Sequence, residues 1–153
     1  MSDFHKLLAE SGLADKAVRV DDRLVRLQWG SAFVIAGISG SAVVAIAPMF
    51  QKLPPGKELA FFRKLLEHNA HMGGMASFAI QPDGWVVLHA GRALKGMDGQ
   101  ELATMIAAVG KFADQFDDQL IAEFYAGKRD SGIPEVSEPV RTEVSGANLP
   151  QTD

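Results

Sequence analysis

Between residues 59 and 124 the sequence spells a helix, a tight hairpin and a long amphipathic helix. This succession limits the available folds more than any other stretch. Leu59, Phe62 and Leu66 fall on one helical stripe, with Leu65 beside them and Asn69 or Ala70 extending it. Gly73 and Gly74 stop the pattern, so a helix is expected over residues 57–72. Phe78 and Ile80, the turn Pro82-Asp83-Gly84, and then Trp85, Val87 and Leu88 read as a hairpin. Asp98 followed three residues later by Glu101 is a capping box with Asp in place of Ser or Thr. From there Leu102, Met105, Ile106, Val109, Phe112, Ala113, Phe116, Leu120 and Phe124 keep helical spacing. At about 1.5 Å per residue this rod is roughly 40 Å long. It is expected either to overhang the sheet or to lay part of its length on a partner.

The N-terminal half supplies the rest of the sheet. Asp3, Phe4, Leu7 and Leu8, ended by Gly12, predict a short first helix. Residues 14–22 read as a polar approach with a short extended piece around Val18 and Val20. Three antiparallel strands follow over residues 23–50, separated by Gly30-Ser31 and Ser39-Gly40. Pro48 is expected to end the last of them or to mark an edge. The later two strands are apolar at both odd and even positions. One face must take the helices, and the other calls for cover from a protein surface, a ligand or a second subunit. The fold class is therefore α+β, in the order helix, three strands, helix, two strands, helix. A five-stranded antiparallel sheet is expected, with the helices on one face. The domain is expected over residues 1–127. Residues 128–153, with Pro134, Pro139 and Pro150 and few large apolar groups, are expected to form a flexible acidic tail.

Composition removes several classes of function. The chain of 153 residues is 47% hydrophobic and 22% charged, enough for one core. No apolar run approaches the length of a membrane-spanning helix. The first residues lack a basic-then-apolar leader pattern, and a cytoplasmic location is expected. The absence of Cys excludes disulfides, thiolate metal sites and a cysteine nucleophile. A net charge of -4 argues against binding a phosphate backbone.

No catalytic motif is present. His68 and His71 are three apart near a helix end, but a zinc site needs further ligands, and neither zincin spacing occurs. Asp114, Asp117 and Asp118 recur at helical spacing and read as the solvated face of the long helix rather than as paired acid and base. Gly91, Gly96 and Gly99 precede that helix without phosphate-loop spacing, and Asp98 at its cap would repel an anion. No metal and no cofactor are expected, and the chain is not expected to be an enzyme. The excess of apolar strand positions points instead to a binding or self-association surface.

The element order, with Leu65-Leu66-Glu67-His68-Asn69, the hairpin of residues 78–88 and the long helix of residues 98–120, resembles the class I type III secretion chaperones. These are the CesT or Tir-chaperone-like group, to which the YbjN-like proteins are related. The resemblance covers residues 4–127, and Asn69 and the Gly turn are its near-signature positions. It implies a non-catalytic homodimer that holds an extended segment of a secreted effector. The alternative it leaves is a YbjN-like regulatory or small-ligand-binding module. It places Phe4, Leu8, Val25, Leu27, Trp29 and Phe33 nearer the partner groove. It places Leu66, Asn69, Phe78, Ile80, Trp85 and Val87 in the dimer contact.

Overall fold

The computed structural model describes residues 3–126. Helix α1 (Asp3–Ser11) and a single 3-10 turn (Ala14–Lys16) lead into β1 (Ala17–Arg19), β2 (Leu24–Trp29), β3 (Ala32–Ser39) and β4 (Ala42–Phe50). Helix α2 (Glu58–His71), the hairpin β5 (Ser77–Ile80) and β6 (Val86–Ala93), and helix α3 (Gly99–Phe124) complete the order. The fold is α+β as expected. The sheet has six strands rather than five, antiparallel throughout, in the order β1-β2-β3-β4-β6-β5. The additional strand is β1, whose three residues pair with Leu27, Arg26 and Val25 of β2. So short a strand has no periodicity of its own, and only its partner gives it form. The tail expected over residues 128–153 lies outside the described residues.

Local chemistry accounts for the connections. The β2–β3 and β3–β4 hairpins turn on two residues each, Gly30-Ser31 and Gly40-Ser41. Both glycines have positive φ, which the twist of a tight hairpin demands. In the β5–β6 turn Gly84 N–H donates to the Gln81 carbonyl, and Trp85 N–H donates to Asp83 Oδ1. Strand β4 does not stop at Pro48. It continues to Phe50 through a register shift between these two residues. The ladder to β3 ends at Ile46, so Pro48 sits where β4 is paired on one side only.

One face of the sheet packs on the helices. Val25, Leu27, Val34, Ala36, Val43, Ala45, Ala47, Val86 and Leu88 are buried there with Phe4 and Leu8 of α1 and Leu102, Ile106, Val109 and Leu120 of α3. Small side chains at Ala36, Ala45 and Ala47 let α3 lie close as it crosses β2, β3, β4 and β6. Each fully buried Leu or Ile on α3 contributes roughly 1.5–3 kcal/mol. Asp98 caps α3, its carboxylate accepting from Glu101 N–H at 2.8 Å. Buried residues run from Gly99 to Phe124, so the rod neither overhangs nor leaves a bare end. The far end is held by Phe124 edge-on to Phe61 of α2, with centroids 5.1 Å apart.

Helix α2 buries a different stripe from the expected one. Phe61 and Leu65 face the core, while Leu59 and Leu66 point outward at 84% and 68% exposure. The helix is apolar on two sides, and periodicity alone does not choose between them.

Gly110 is the notch in which α3 receives Trp29 of β2. A Cβ there would lie 2.4 Å from the indole ring. Gly110→Ala is therefore expected to destabilise the fold by about 1–3 kcal/mol in urea unfolding. Gly91→Ala, whose Cβ would meet nothing closer than 3.5 Å, is expected to show no comparable loss.

Candidate protein-interaction site

An open sheet has two edges, and this chain treats them differently. At the β5 edge Asn69, in the last turn of α2, faces the backbone of Phe78. Its Oδ1 accepts from Phe78 N–H at 2.7 Å, and its Nδ2 donates to the Phe78 carbonyl at 3.4 Å. One carboxamide thus does at Phe78 what a neighbouring strand would do, and it closes that edge to a further strand. The opposite edge is β1, and among the described residues no strand lies outside it.

Beside β1 runs a groove of about 640 Å³, lined by His5, Leu8, Ala9, Ala14, Ala17, Arg19, Asp22 and Val25. Its walls come from α1, the 3-10 turn and the first two strands. Leu8, Ala9, Ala14, Ala17 and Val25 make them apolar. Arg19 and Asp22 form an exposed ion pair at 2.6 Å at one side. A strand edge that faces no described strand, beside an apolar trough, suits an extended peptide, since such an edge can supply hydrogen bonds and the trough can take alternate side chains.

The residues expected near the partner do not form one surface. Leu8 and Val25 line the groove from beneath, and both are buried. Phe4 and Leu27 lie wholly in the helix-side core, and Trp29 packs half-buried on α3. Phe33 is on the other face of the sheet, with the Arg26 guanidinium 5.8 Å from its ring centroid. His5, Ala9, Ala14 and Ala17 line the groove without having been singled out in the sequence. All four are small or polar residues in weak local patterns, and their only signal is position beside a strand too short to recognise.

The residues expected at the dimer contact also divide. Leu66 and Ile80 are exposed, and Leu59 joins Leu66 on the outward stripe of α2. Asn69 and Phe78 are engaged with each other beneath them. Trp85 and Val87 are buried on the second face with Leu24, Phe33, Ile35 and Ile46.

The polar candidates have structural partners. The Ser31 N–H donates to Asp114 Oδ1 at 2.8 Å, and its hydroxyl lies 2.8 Å from the same oxygen and 2.6 Å from Asp117 Oδ2. The β2–β3 turn is thereby clasped to α3. Gly30 allows it, for a Cβ there would sit 2.3 Å from Asp114. Asp117 is only 3% exposed, so the solvated face expected of these carboxylates holds for Asp114 and Asp118 but not for it. His68 stacks on Phe116 at 4.2 Å, and burial, with Lys64 alongside, lowers its pKa. Among the described residues no three His, Asp or Glu side chains converge as metal ligands. None of the described helices is long and apolar enough to cross a membrane.

No protein-family model matches the chain, and no curated protein matches it in sequence. Solved structures do match its architecture. A chain of the heterodimeric ExoU–SpcU complex from the type III secretion system of Pseudomonas aeruginosa superposes with a TM-score of 0.55 at 19% identity, over 75% of this chain and 93% of that one. A chain of the ExsC–ExsE complex gives 0.55 at 16% identity, over 74% and 90%. The Yersinia pestis type III secretion chaperone SycH in complex with a YscM2 fragment gives 0.50 at 16% identity, over 72% and 96%. The chain has the type III secretion chaperone fold. The element order and the hairpin that carried the resemblance in sequence are the parts of this fold that the structure places around α2, β5 and β6.

The clasp at Ser31 gives a pH signature. Its backbone N–H, and then its hydroxyl, hold the Asp114 carboxyl below the ordinary carboxylate value of 3.8. A carboxyl whose pKa falls on folding contributes stability that is present above the unfolded value and lost as pH drops through the folded one. By NMR titration Asp114 is expected to titrate below 3.8 in the native chain and to move up toward it in Ser31→Ala. The stabilities of the two proteins should converge in acid below that range.

Proposed function

We propose that this protein is a non-catalytic, homodimeric binding protein of the type III secretion chaperone class. It acts in the cytoplasm and holds an extended segment of a secreted effector. The observation that carries this reading is the open β1 edge beside the apolar groove, on a sheet whose other edge Asn69 has closed. The bound segment adds a strand at β1, satisfies the outward main-chain groups there, and sets alternate side chains against Ala14, Ala17 and Leu8. The three structures of similar fold described above were solved as complexes with protein partners, in agreement with this reading. The trough follows a strand edge and is not enclosed, which favours a chain over a small ligand of the kind a YbjN-like module would take.

The dimer contact falls on the outward stripe of α2 and the neighbouring β5, where Leu59, Leu66 and Ile80 are exposed. Helix α2 packs on β5, so these side chains belong to one end of the molecule. Burying them between two copies removes the largest exposed apolar groups of that end from water.

Two measurements test these assignments separately. Leu59→Glu combined with Leu66→Glu changes only exposed positions. It is expected to convert a dimer into a folded monomer in sedimentation, with an unchanged circular dichroism spectrum; a native chain that is already monomeric at micromolar concentration contradicts the dimer. Ala14→Glu puts a charge in the groove. It is expected to weaken binding of the partner segment at least tenfold, about 1.4 kcal/mol, without altering the dimer. Unchanged affinity would move the binding site elsewhere.

A further inference from the structure

Ala17 and Arg19 are two apart on β1, so their side chains share one face of the strand, and both line the groove. Arg19 thus puts a cation into a wall that is otherwise mostly apolar. Two of its N–H groups are tied within its own turn: Nε donates to the Asp21 carbonyl at 3.3 Å, and Nη2 to Asp22 Oδ1 at 2.6 Å. Guanidinium N–H bonds lie in the plane of the group, so these contacts fix the plane and engage only its edge. Its flat faces stay open, and among the described residues no aromatic ring lies against it. The rest of the wall is low. Ala9, Ala14 and Ala17 come from α1, the 3-10 turn and β1, and each ends in a single methyl beside the buried Leu8 and Val25. Small residues on three walls leave room for a bulky side chain.

We propose, on the reading that a partner segment adds at β1, that the groove takes an aromatic side chain of that segment, a Phe, Tyr or Trp held between the Arg19 guanidinium and the alanines. A strand laid outside β1 puts one of its groove-facing side chains opposite Arg19, with Cβ atoms about 4.5–5.5 Å apart. An aromatic ring there lies on the guanidinium face while its flank covers Ala17 and Ala14. That contact combines cation–π attraction with a large apolar area. Other side chains fit less well. A carboxylate would meet Asp22, whose oxygen already holds Arg19, and a Lys or Arg would meet the Arg19 charge. A Val or Leu fills less of the space over the three alanines and offers no π face. The chain makes the same kind of pair elsewhere, between β2 and β3, where the Arg26 guanidinium stands 5.8 Å from the Phe33 ring centroid. Arg rather than Lys matters at position 19, because a planar, weakly hydrated guanidinium stacks flat on a ring and a compact ammonium does not.

The test uses two dye-labelled peptides, one of alternating leucine and threonine and one with its central leucine replaced by tryptophan. By fluorescence anisotropy the tryptophan peptide is expected to bind the protein at least roughly fivefold more tightly. Arg19→Lys keeps the charge and alters only an exposed ion pair, so the fold is expected to be unaffected. It is expected to weaken the tryptophan peptide about threefold and to change the leucine peptide little. Ala14→Glu is expected to weaken both. Equal affinities of the two peptides, or equal effects of Arg19→Lys on them, would overturn the aromatic anchor while leaving the groove as the binding site. Affinities that Ala14→Glu leaves unchanged, or no binding of either peptide at millimolar concentration, would overturn the groove and the anchor with it.

Discussion

Strands β3 and β4 carry large apolar side chains on both sides, and a sheet built on them has to be covered twice. On one side the cover is α3, seated over Ala36, Ala45 and Ala47 and locked by Trp29 in the Gly110 notch. The position of α3 then settles much else. Helix α1 packs against it, Phe61 of α2 meets its far end, and the β2–β3 turn is tied to it through Ser31 and Asp114. On the other side Leu24, Phe33, Ile35, Ile46, Trp85 and Val87 form a second cluster that no helix shares. The two edges of the sheet and the outer side of α2 add further surface that the helix-side core does not use.

The edges are chemically unequal. At Phe78 a side-chain carboxamide occupies both backbone groups, while three residues of β1 form an edge without a described neighbour. Unpaired edges invite strand addition, and proteins usually blunt them. One edge is thus blunted, and the other has an apolar groove beside it. The exposed Leu59 and Leu66 lie on α2, which packs on the strand at the blunted edge. In the reading proposed above, self-association at α2 and segment binding at β1 fall at opposite ends of the sheet.

Much of this fold was legible in the sequence because its signals are local. The Pro82-Asp83-Gly84 turn, the Asp98 cap with Glu101 and the Gly30-Ser31 hairpin each act within four residues, and each is found where the spacing places it; the next hairpin turns on Gly40-Ser41, one residue later than the expected Ser39-Gly40. What was hidden depends on distance. Strand β1 exists only through its pairing with β2. Helix α2 offers two apolar stripes, and only the arrival of Phe50 and Phe124 against Phe61 decides which is inside. Asp117 looks like one more surface carboxylate until the Ser31 hydroxyl, far away in sequence, closes on it. Asn69 stood out as a position of the resemblance, but its pairing with Phe78 is a tertiary fact. The groove was legible only in part: Leu8 and Val25 belong to strong patterns, whereas Ala9, Ala14 and Ala17 do not.

The unequal edges are the central claim, and amide hydrogen exchange reads them directly. In the free protein the Phe78 amide, held by Asn69, is expected to exchange slowly, while amides of β1 exchange fast and become protected once a partner segment is bound. Fast exchange at Phe78, or β1 amides already as protected as those of the central strands in the free chain, would contradict the account.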